Sequence, residues 1–231
     1  MKPRAVIFDF DDTLVYTNMF YDRLRGELFA EMERLGLSFR EQWPEYLNKA
    51  DLGNIARAGR LVPWAFPKGM RETGEYFARL SNIELPPGAA DRFEEIGWSL
   101  YDMPTPLMEG AEELLNGLYG KLPLYLLTVG DTEYQGPRVE RSGLTRFFDE
   151  IMIVREKSVQ VFRDLLREKG LLPEEAWMVG NSIRSDVNPA RMAGLNVAFL
   201  NVAAWSYDRV EPVADYHTIH HLLELRELIG L

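Results

Sequence analysis

The fold is decided by one stretch near the start of the chain, Ala5-Val6-Ile7-Phe8-Asp9-Phe10-Asp11-Asp12-Thr13-Leu14. A run of Ala, Val, Ile and Phe is typical of a buried strand, and we predict a strand over Ala5–Phe10. It stops on two carboxylates, Asp9 and Asp11, which would share one face if the strand continued. Because ligands bind at the carboxyl edge of open α/β sheets, the sequence predicts a site at this edge.

The two carboxylates of this stretch need a partner. Carboxylates held so close repel each other, so they require a cation or a shared proton. The pair Asp9 and Asp11 is therefore suited to divalent-metal chemistry in which one group is a nucleophile and the other carries a proton.

Composition excludes several classes of function. The 231 residues carry a net charge of −10, and no segment concentrates Lys and Arg as a nucleic-acid surface would. There is no cysteine, which excludes disulfides, thiol nucleophiles and thiolate metal sites. The longest apolar stretch, around Leu122 to Val129, is too short to span a membrane, and no signal-peptide segment precedes Ala5. We expect a cytoplasmic protein without nucleic-acid or membrane partners.

The second half of the chain alternates between strands and helices from residue 107 onward. This rhythm predicts an α/β fold, a doubly wound parallel sheet with helices on both faces. Further strands are expected at Leu122–Thr128, Glu150–Val154, Ala176–Gly180 and Val197–Val202. Amphipathic helices are expected at about Ala111–Tyr119, Thr132–Ser142, Val159–Lys169 and Ser185–Ala193.

Residues 16–104 interrupt this alternation. They show helical periodicity, with one apolar stripe at Phe20, Leu24, Leu28, Met32 and Leu35, and no convincing buried strand. We interpret them as a helical insertion after the first strand, with the core formed by residues 1–15 and 105–231. Within the insertion, the segment Leu61–Pro67 fits a regular helix poorly, and its Trp64 or Phe66 is a candidate contact for a ligand.

The next two strands also end in polar residues. Thr128 and the following Val129-Gly130 turn offer a hydroxyl and backbone N–H groups to an anion. Lys157 follows the third strand and would balance the charge of a phosphate, with Arg155 as a competing candidate. Each residue taken alone is more often structural. Strand ends of a parallel sheet converge, however, which favours a shared site.

The fourth strand ends Gly180-Asn181-Ser182-Ile183-Arg184-Ser185-Asp186. Asn181 and Asp186 offer an amide oxygen and a carboxylate, both suited to a hard cation such as Mg²⁺. Asn181, Ser182 or Ser185 would equally serve as an N-cap of the following helix.

With these motifs, the chain resembles the haloacid-dehalogenase-like hydrolase superfamily, in its phosphatase branch with a helical cap of the first type. Asp9 to Thr13 matches the first motif, D-x-D-x-T, and the other three motifs match at Thr128, Lys157 and Gly180 to Asp186. The resemblance implies a Rossmann-like sheet of order 5-4-1-2-3, with residues 16–104 as the cap. It also implies Mg²⁺ dependence and phosphoryl transfer through an aspartyl-phosphate.

The resemblance also implies a role for each site residue. Asp9 would be the nucleophile, and Asp11 would start protonated and carry the proton. Thr128, the amide of Val129 and Lys157 would hold the phosphoryl oxygens. The metal would be held by Asp9, the Asp11 carbonyl, Asn181 and Asp186. The chain departs from the family pattern at Asn181, where Asp is usual, and at Ser158, where Pro often follows the Lys.

The predicted function is hydrolysis of a small phosphorylated metabolite by a Mg²⁺-dependent phosphatase that is a monomer or homodimer. A sugar-phosphate mutase shares the core motifs and is the main alternative. A receiver-like signalling protein, which also accepts a phosphoryl group on Asp, is a second alternative. A dehalogenase of the same superfamily would lack a second acidic residue at the position of Asp11.

Overall fold

The structure is a computed structural model that describes residues 3–202 and 210–231. The chain divides into two compact units. One combines Met1–Thr17 with Thr105–Leu231, and the other is the continuous segment Asn18–Pro104. In the described part of the chain, no helix is both long and apolar enough to cross a membrane.

The inserted unit is helical and has its own apolar core. Aromatic and aliphatic side chains, among them Phe20, Trp43, Phe77 and Phe93, fill the space between its helices. Phe66 is buried in this core with its ring against Tyr21, so it packs the insertion and is not an exposed ligand contact. The four helices are α1 (Asn18–Arg34), α2 (Trp43–Ala58), α3 (Ala65–Leu80) and α4 (Ala89–Trp98).

The other unit contains a parallel sheet of order β3-β2-β1-β4-β5-β6. Its strands are β1 (Ala5–Phe8), β2 (Leu124–Val129), β3 (Glu150–Val154), β4 (Ala176–Gly180), β5 (Asn196–Leu200) and β6 (His217–Ile219). The predicted α/β class and the order 5-4-1-2-3 are confirmed. The structure adds β6 at the edge beside β5, a strand of three residues too short for its pattern to predict.

Each face of the sheet packs against its own apolar cluster. Along β1, Val6 and Phe8 belong to one apolar cluster, while Ala5 and Ile7 belong to the other. This alternation follows from the two-residue period of a strand, and it explains why β1 is apolar throughout. The helices of this unit are α5 (Ala111–Leu118), α6 (Thr132–Arg141), α7 (Val159–Lys169), α8 (Asn188–Ala193) and α9 (Glu224–Leu228).

Two predicted elements differ near the site. The first strand ends at Phe8 and not at Phe10, because the chain turns at once and the amides of Leu14 and Val15 donate to the Phe10 carbonyl. Asp12 has a positive φ of 55° in this turn. The helix predicted at Ser185–Ala193 is split into a π-helical turn, Ile183–Val187, and the short helix α8.

Candidate active site

Asp9 is buried directly after the central strand. Its amide donates to the Val179 carbonyl at 2.9 Å, which ties it to β4. One carboxylate oxygen accepts from Lys157 Nζ at 2.5 Å and the other from Thr13 Oγ1 at 2.9 Å. Burial raises the pKa of Asp9 to about 7, against the attraction of Lys157 and with the repulsion of Asp186 and Asp11. Two carboxylates, Asp9 and Asp186, therefore share one cation, Lys157.

Lys157 is the cation of this site. Its side chain is 1% exposed, and Nζ lies 2.5 Å from carboxylate oxygens of both Asp9 and Asp186. Burial favours the neutral amine, but the two carboxylates outweigh it and raise the pKa of Lys157, which keeps it charged. Arg155 is exposed, and of the two candidates only Lys157 reaches Asp9.

Asp186 reaches the site because Gly180 has no side chain. A Cβ at Gly180 would lie 2.2 Å from Asp186 Oδ2, far inside contact distance. The same oxygen accepts from the Ser182 amide at 3.0 Å. The N-cap of the π-helical turn is Ser182, whose Oγ accepts from the Ser185 amide at 2.9 Å.

Asn181 is buried beside Asp9, and one of the two polar atoms of its amide has no hydrogen-bond partner. Its Nδ2 has no hydrogen-bond partner, while its Oδ1 lies 3.3 Å from Thr13 Oγ1. The Thr13 hydroxyl has one hydrogen, and the carboxylate of Asp9 can only accept it. Rotating the amide by half a turn lets Nδ2 donate to Thr13 Oγ1 and turns Oδ1 toward the unpaired position.

The donors around Asp9 fit a hard divalent cation. In residues 3–202 and 210–231 no three acidic or histidine side chains gather as a metal site. The oxygen donors are instead two carboxylates, Asp9 and Asp186, and the rotated amide of Asn181. Carboxylate and amide oxygens are the ligands that Mg²⁺ takes in proteins, and the sharing of one lysine by two carboxylates favours a cation here.

Asp11 is held by three side chains on the other side of the turn. Arg138 Nη2 lies 2.7 Å from Oδ1, and Thr17 Oγ1 donates to the same oxygen at 2.7 Å. Gln135 Nε2 donates to Oδ2 at 2.6 Å. Burial opposes ionisation, but Arg138 and the hydrogen bonds together outweigh it and lower the pKa of Asp11. The ion pair with Arg138 favours the carboxylate form of Asp11 here, and the expectation that Asp11 starts the reaction protonated stays a prediction.

Thr128 and Val129 are the last two residues of β2. Thr128 is buried, and its Oγ1 accepts from Gln135 Nε2 at 2.8 Å. The structure thus joins Asp9, Lys157, Asn181 and Asp186 in one hydrogen-bonded group, and it joins Thr128 to Asp11 through Gln135.

Sequence reasoning missed three residues of this site, Thr17, Gln135 and Arg138. Thr17 lies close to the acidic pair in sequence and was available as a hydroxyl donor. Gln135 and Arg138 lie three residues apart on α6, the helix that follows β2, and such a pair shares one helical face. No residue type in that pair signals catalysis by itself.

Comparison with known proteins agrees with this geometry. The family of haloacid dehalogenase-like hydrolases matches residues 3–194. The pyrimidine 5′-nucleotidase YjjG of Escherichia coli is 27% identical over 99% of both chains. The glyceraldehyde 3-phosphate phosphatase of Pyrococcus furiosus is 27% identical over 98% of this chain and 92% of its own.

Solved structures show the same fold. A haloacid dehalogenase-like family hydrolase from Xanthomonas campestris has a TM-score of 0.76 at 24% identity, over 99% of this chain and 97% of its own. The HAD-hydrolase YfnB of Bacillus subtilis, bound to magnesium, has a TM-score of 0.68 at 18% identity over the whole of both chains. The family match over residues 3–194 confirms the family that the motifs indicated, and the solved structures confirm its fold.

Proposed function

Because the chain belongs to the haloacid dehalogenase-like hydrolase family, we propose that it is a Mg²⁺-dependent phosphatase. It would hydrolyse a small-molecule phosphate monoester through an aspartyl-phosphate on Asp9. One observation carries the proposal: the buried carboxylate of Asp9 lies between Lys157 and Thr13, with Asp186 on the far side of the same lysine. This arrangement suits a nucleophile that must meet an anionic phosphate.

In the first step, a carboxylate oxygen of Asp9 attacks phosphorus, and the bond from phosphorus to the leaving oxygen breaks. Lys157 and the Thr128 hydroxyl hold the phosphoryl oxygens, where charge spreads in the transition state. Asp9, Asp186 and Asn181 would hold Mg²⁺ together with the Asp11 carbonyl. When bound, this cation reduces the repulsion between the carboxylate and the phosphate and stabilises negative charge.

In the second step, a water molecule attacks phosphorus and the bond from phosphorus to Asp9 breaks. Asp11 takes the proton of that water, a role that its carboxylate form fits directly. In the first step the protonated form of Asp11 gives its proton to the leaving oxygen and becomes the carboxylate that takes the proton of the water in the second step, so the two transfers balance. Each such transfer typically contributes ~10²–10⁴-fold to the rate.

The names of full-length relatives support hydrolysis over mutase or receiver chemistry. One relative is a pyrimidine 5′-nucleotidase and another a glyceraldehyde 3-phosphate phosphatase. Both names describe the hydrolysis of small phosphate monoesters. They differ in the alcohol part, so we assign the substrate class as small phosphorylated metabolites and name no single compound.

The test is turnover of 4-nitrophenyl phosphate and of a panel of small phosphate esters, with and without Mg²⁺. Wild-type protein should hydrolyse these esters. After acid quenching, mass spectrometry should detect a covalent phosphate on its Asp9. Asp9→Asn should abolish both signals. Asp164→Asn, on α7 and outside the site, is the matched control and should behave as wild type. Normal turnover by Asp9→Asn would disprove the mechanism.

A further inference from the structure

Gln135 has every polar atom of its side chain engaged. Nε2 donates to Asp11 Oδ2 at 2.6 Å and to Thr128 Oγ1 at 2.8 Å. Oε1 accepts from Arg138 Nη1 at 2.8 Å. The residue is buried on α6. A buried carboxamide that uses both N–H groups and its oxygen is held in one orientation.

Chemistry fixes which way the amide faces. Arg138 can only donate, so the amide oxygen must face it, and the NH₂ group must face Asp11 and Thr128. Arg138 Nη2 also donates to Thr17 Oγ1 at 2.9 Å and pairs with Asp11. The guanidinium therefore sets both the orientation of Gln135 and the place of Asp11.

The hydrogen bond to Thr128 has a consequence for the phosphate. Because Oγ1 of Thr128 accepts from Gln135, its single hydrogen remains for a different acceptor. The second N–H of the same amide holds Asp11. Gln135 thus connects Thr128, which is assigned to bind the phosphoryl oxygens, with Asp11, which is assigned to transfer the proton.

We propose that Gln135 is a positioning residue that sets Thr128 and Asp11 relative to each other for departure of the leaving group. The inference rests on the phosphatase function proposed above. Gln135 touches neither substrate nor the reacting atoms in this scheme and acts through its two partners. Arg138 supports it by fixing the amide.

Gly130 gives Gln135 the room that it needs. A Cβ at Gly130 would lie 3.0 Å from Gln135 Cβ and 3.2 Å from its Cγ. These contacts are tighter than nearly all real Cβ contacts, so Gly130→Ala should shift the glutamine side chain by a few tenths of an ångström relative to its partners. This substitution displaces Gln135 without altering its chemistry.

The experiment compares kcat/KM for 4-nitrophenyl phosphate with kcat/KM for an alkyl phosphate such as glycerol phosphate. A nitrophenolate leaves without a proton, whereas an alkoxide needs one. Gln135→Met keeps the side-chain size and removes the donors. We expect it to lower the alkyl-to-aryl ratio of kcat/KM at least ~10-fold, which is part of the ~10²–10⁴-fold effect of a whole proton transfer, because Asp11 is displaced and not removed.

Two further variants keep the inference open to refutation if Gln135→Met fails to fold. Gln135→Glu retains an acceptor for Arg138 but loses both N–H donors, and Gly130→Ala displaces the side chain. Both should lower the ratio. Gln160→Met, at an exposed glutamine of α7, is the matched control and should leave it at the wild-type value.

The outcomes separate the two proposals. If wild type hydrolyses the esters but Gln135→Met lowers both kcat/KM values by the same factor, Gln135 is only structural and this inference is overturned. If wild type hydrolyses neither ester with Mg²⁺ present, the phosphatase function itself is wrong and the inference is overturned with it.

Discussion

Asp51 in the inserted unit allows a quantitative test of the cost of a partly buried charge. It lies on α2 where this helix approaches α3 so closely that a Cβ at Gly69 would come within 3.1 Å of the Asp51 backbone nitrogen. Burial raises the pKa of Asp51 from 3.8 to about 6, and the charge of Arg25 opposes this only in part. The carboxylate form is therefore disfavoured in the folded protein.

The effect on stability follows from proton linkage. The folded state binds the proton more tightly than the unfolded state, so this group's stabilising contribution is present below pH 3.8 and is lost as the pH rises through about 6. Each pKa unit corresponds to about 1.4 kcal/mol, so the charged form costs about 3 kcal/mol above pH 6. Asp51→Asn is neutral at every pH and should remove this cost.

We expect Asp51→Asn to be more stable than wild type by about 2–3 kcal/mol at pH 8, with the difference shrinking toward pH 4. Urea unfolding at pH 5, 6, 7 and 8, followed by circular dichroism, measures it. Asp102→Asn, at an exposed position, is the control and should change stability by at most about 0.5 kcal/mol at any pH. A difference for Asp51→Asn that does not grow with pH would refute the reasoning.

Two further predictions concern the metal end of the site. Gly180→Ala places a Cβ 2.2 Å from Asp186 Oδ2, so it should displace that carboxylate and raise the Mg²⁺ concentration for half-maximal activity at least ~10-fold; an unchanged metal titration would exclude Asp186 as a ligand. Asn181→Asp keeps an oxygen at the metal-facing position and adds a negative charge, so it should tighten Mg²⁺ binding in calorimetric titration. Unaltered affinity would mean that Asn181 only bonds to Thr13.

The sheet could be predicted because its signals are local. The runs that form β1 and β4 are apolar along their whole length, and each is followed directly by a polar residue that the parallel arrangement brings to one edge. Lys157 was predicted from its place after a strand. Only the structure chose between it and Arg155, since the choice depends on which side chain is buried.

What the sequence could not supply is the partner of each carboxylate. Nothing in the pattern of α6 indicates that Arg138 pairs with Asp11, because the two are brought together only when the sheet has formed. The protonation state of Asp11 depends on that pair, so the sequence alone could not decide it. Short elements were the other failure, since β6 has three residues and its pairing with β5 is decided by tertiary contact.

The position of β1 has a consequence for how the chain folds. Val6 pairs with Leu124 on one side and with Trp177 on the other. The central strand therefore cannot pair until these segments, which lie much later in the chain, have been synthesised. Pairings between such distant segments form slowly, because closing a large loop costs conformational entropy before any stabilising contact has formed. The segment Asn18–Pro104 has its own core of nearby contacts. During synthesis it can therefore fold while Asp9 and Asp11 still lie on an unpaired strand.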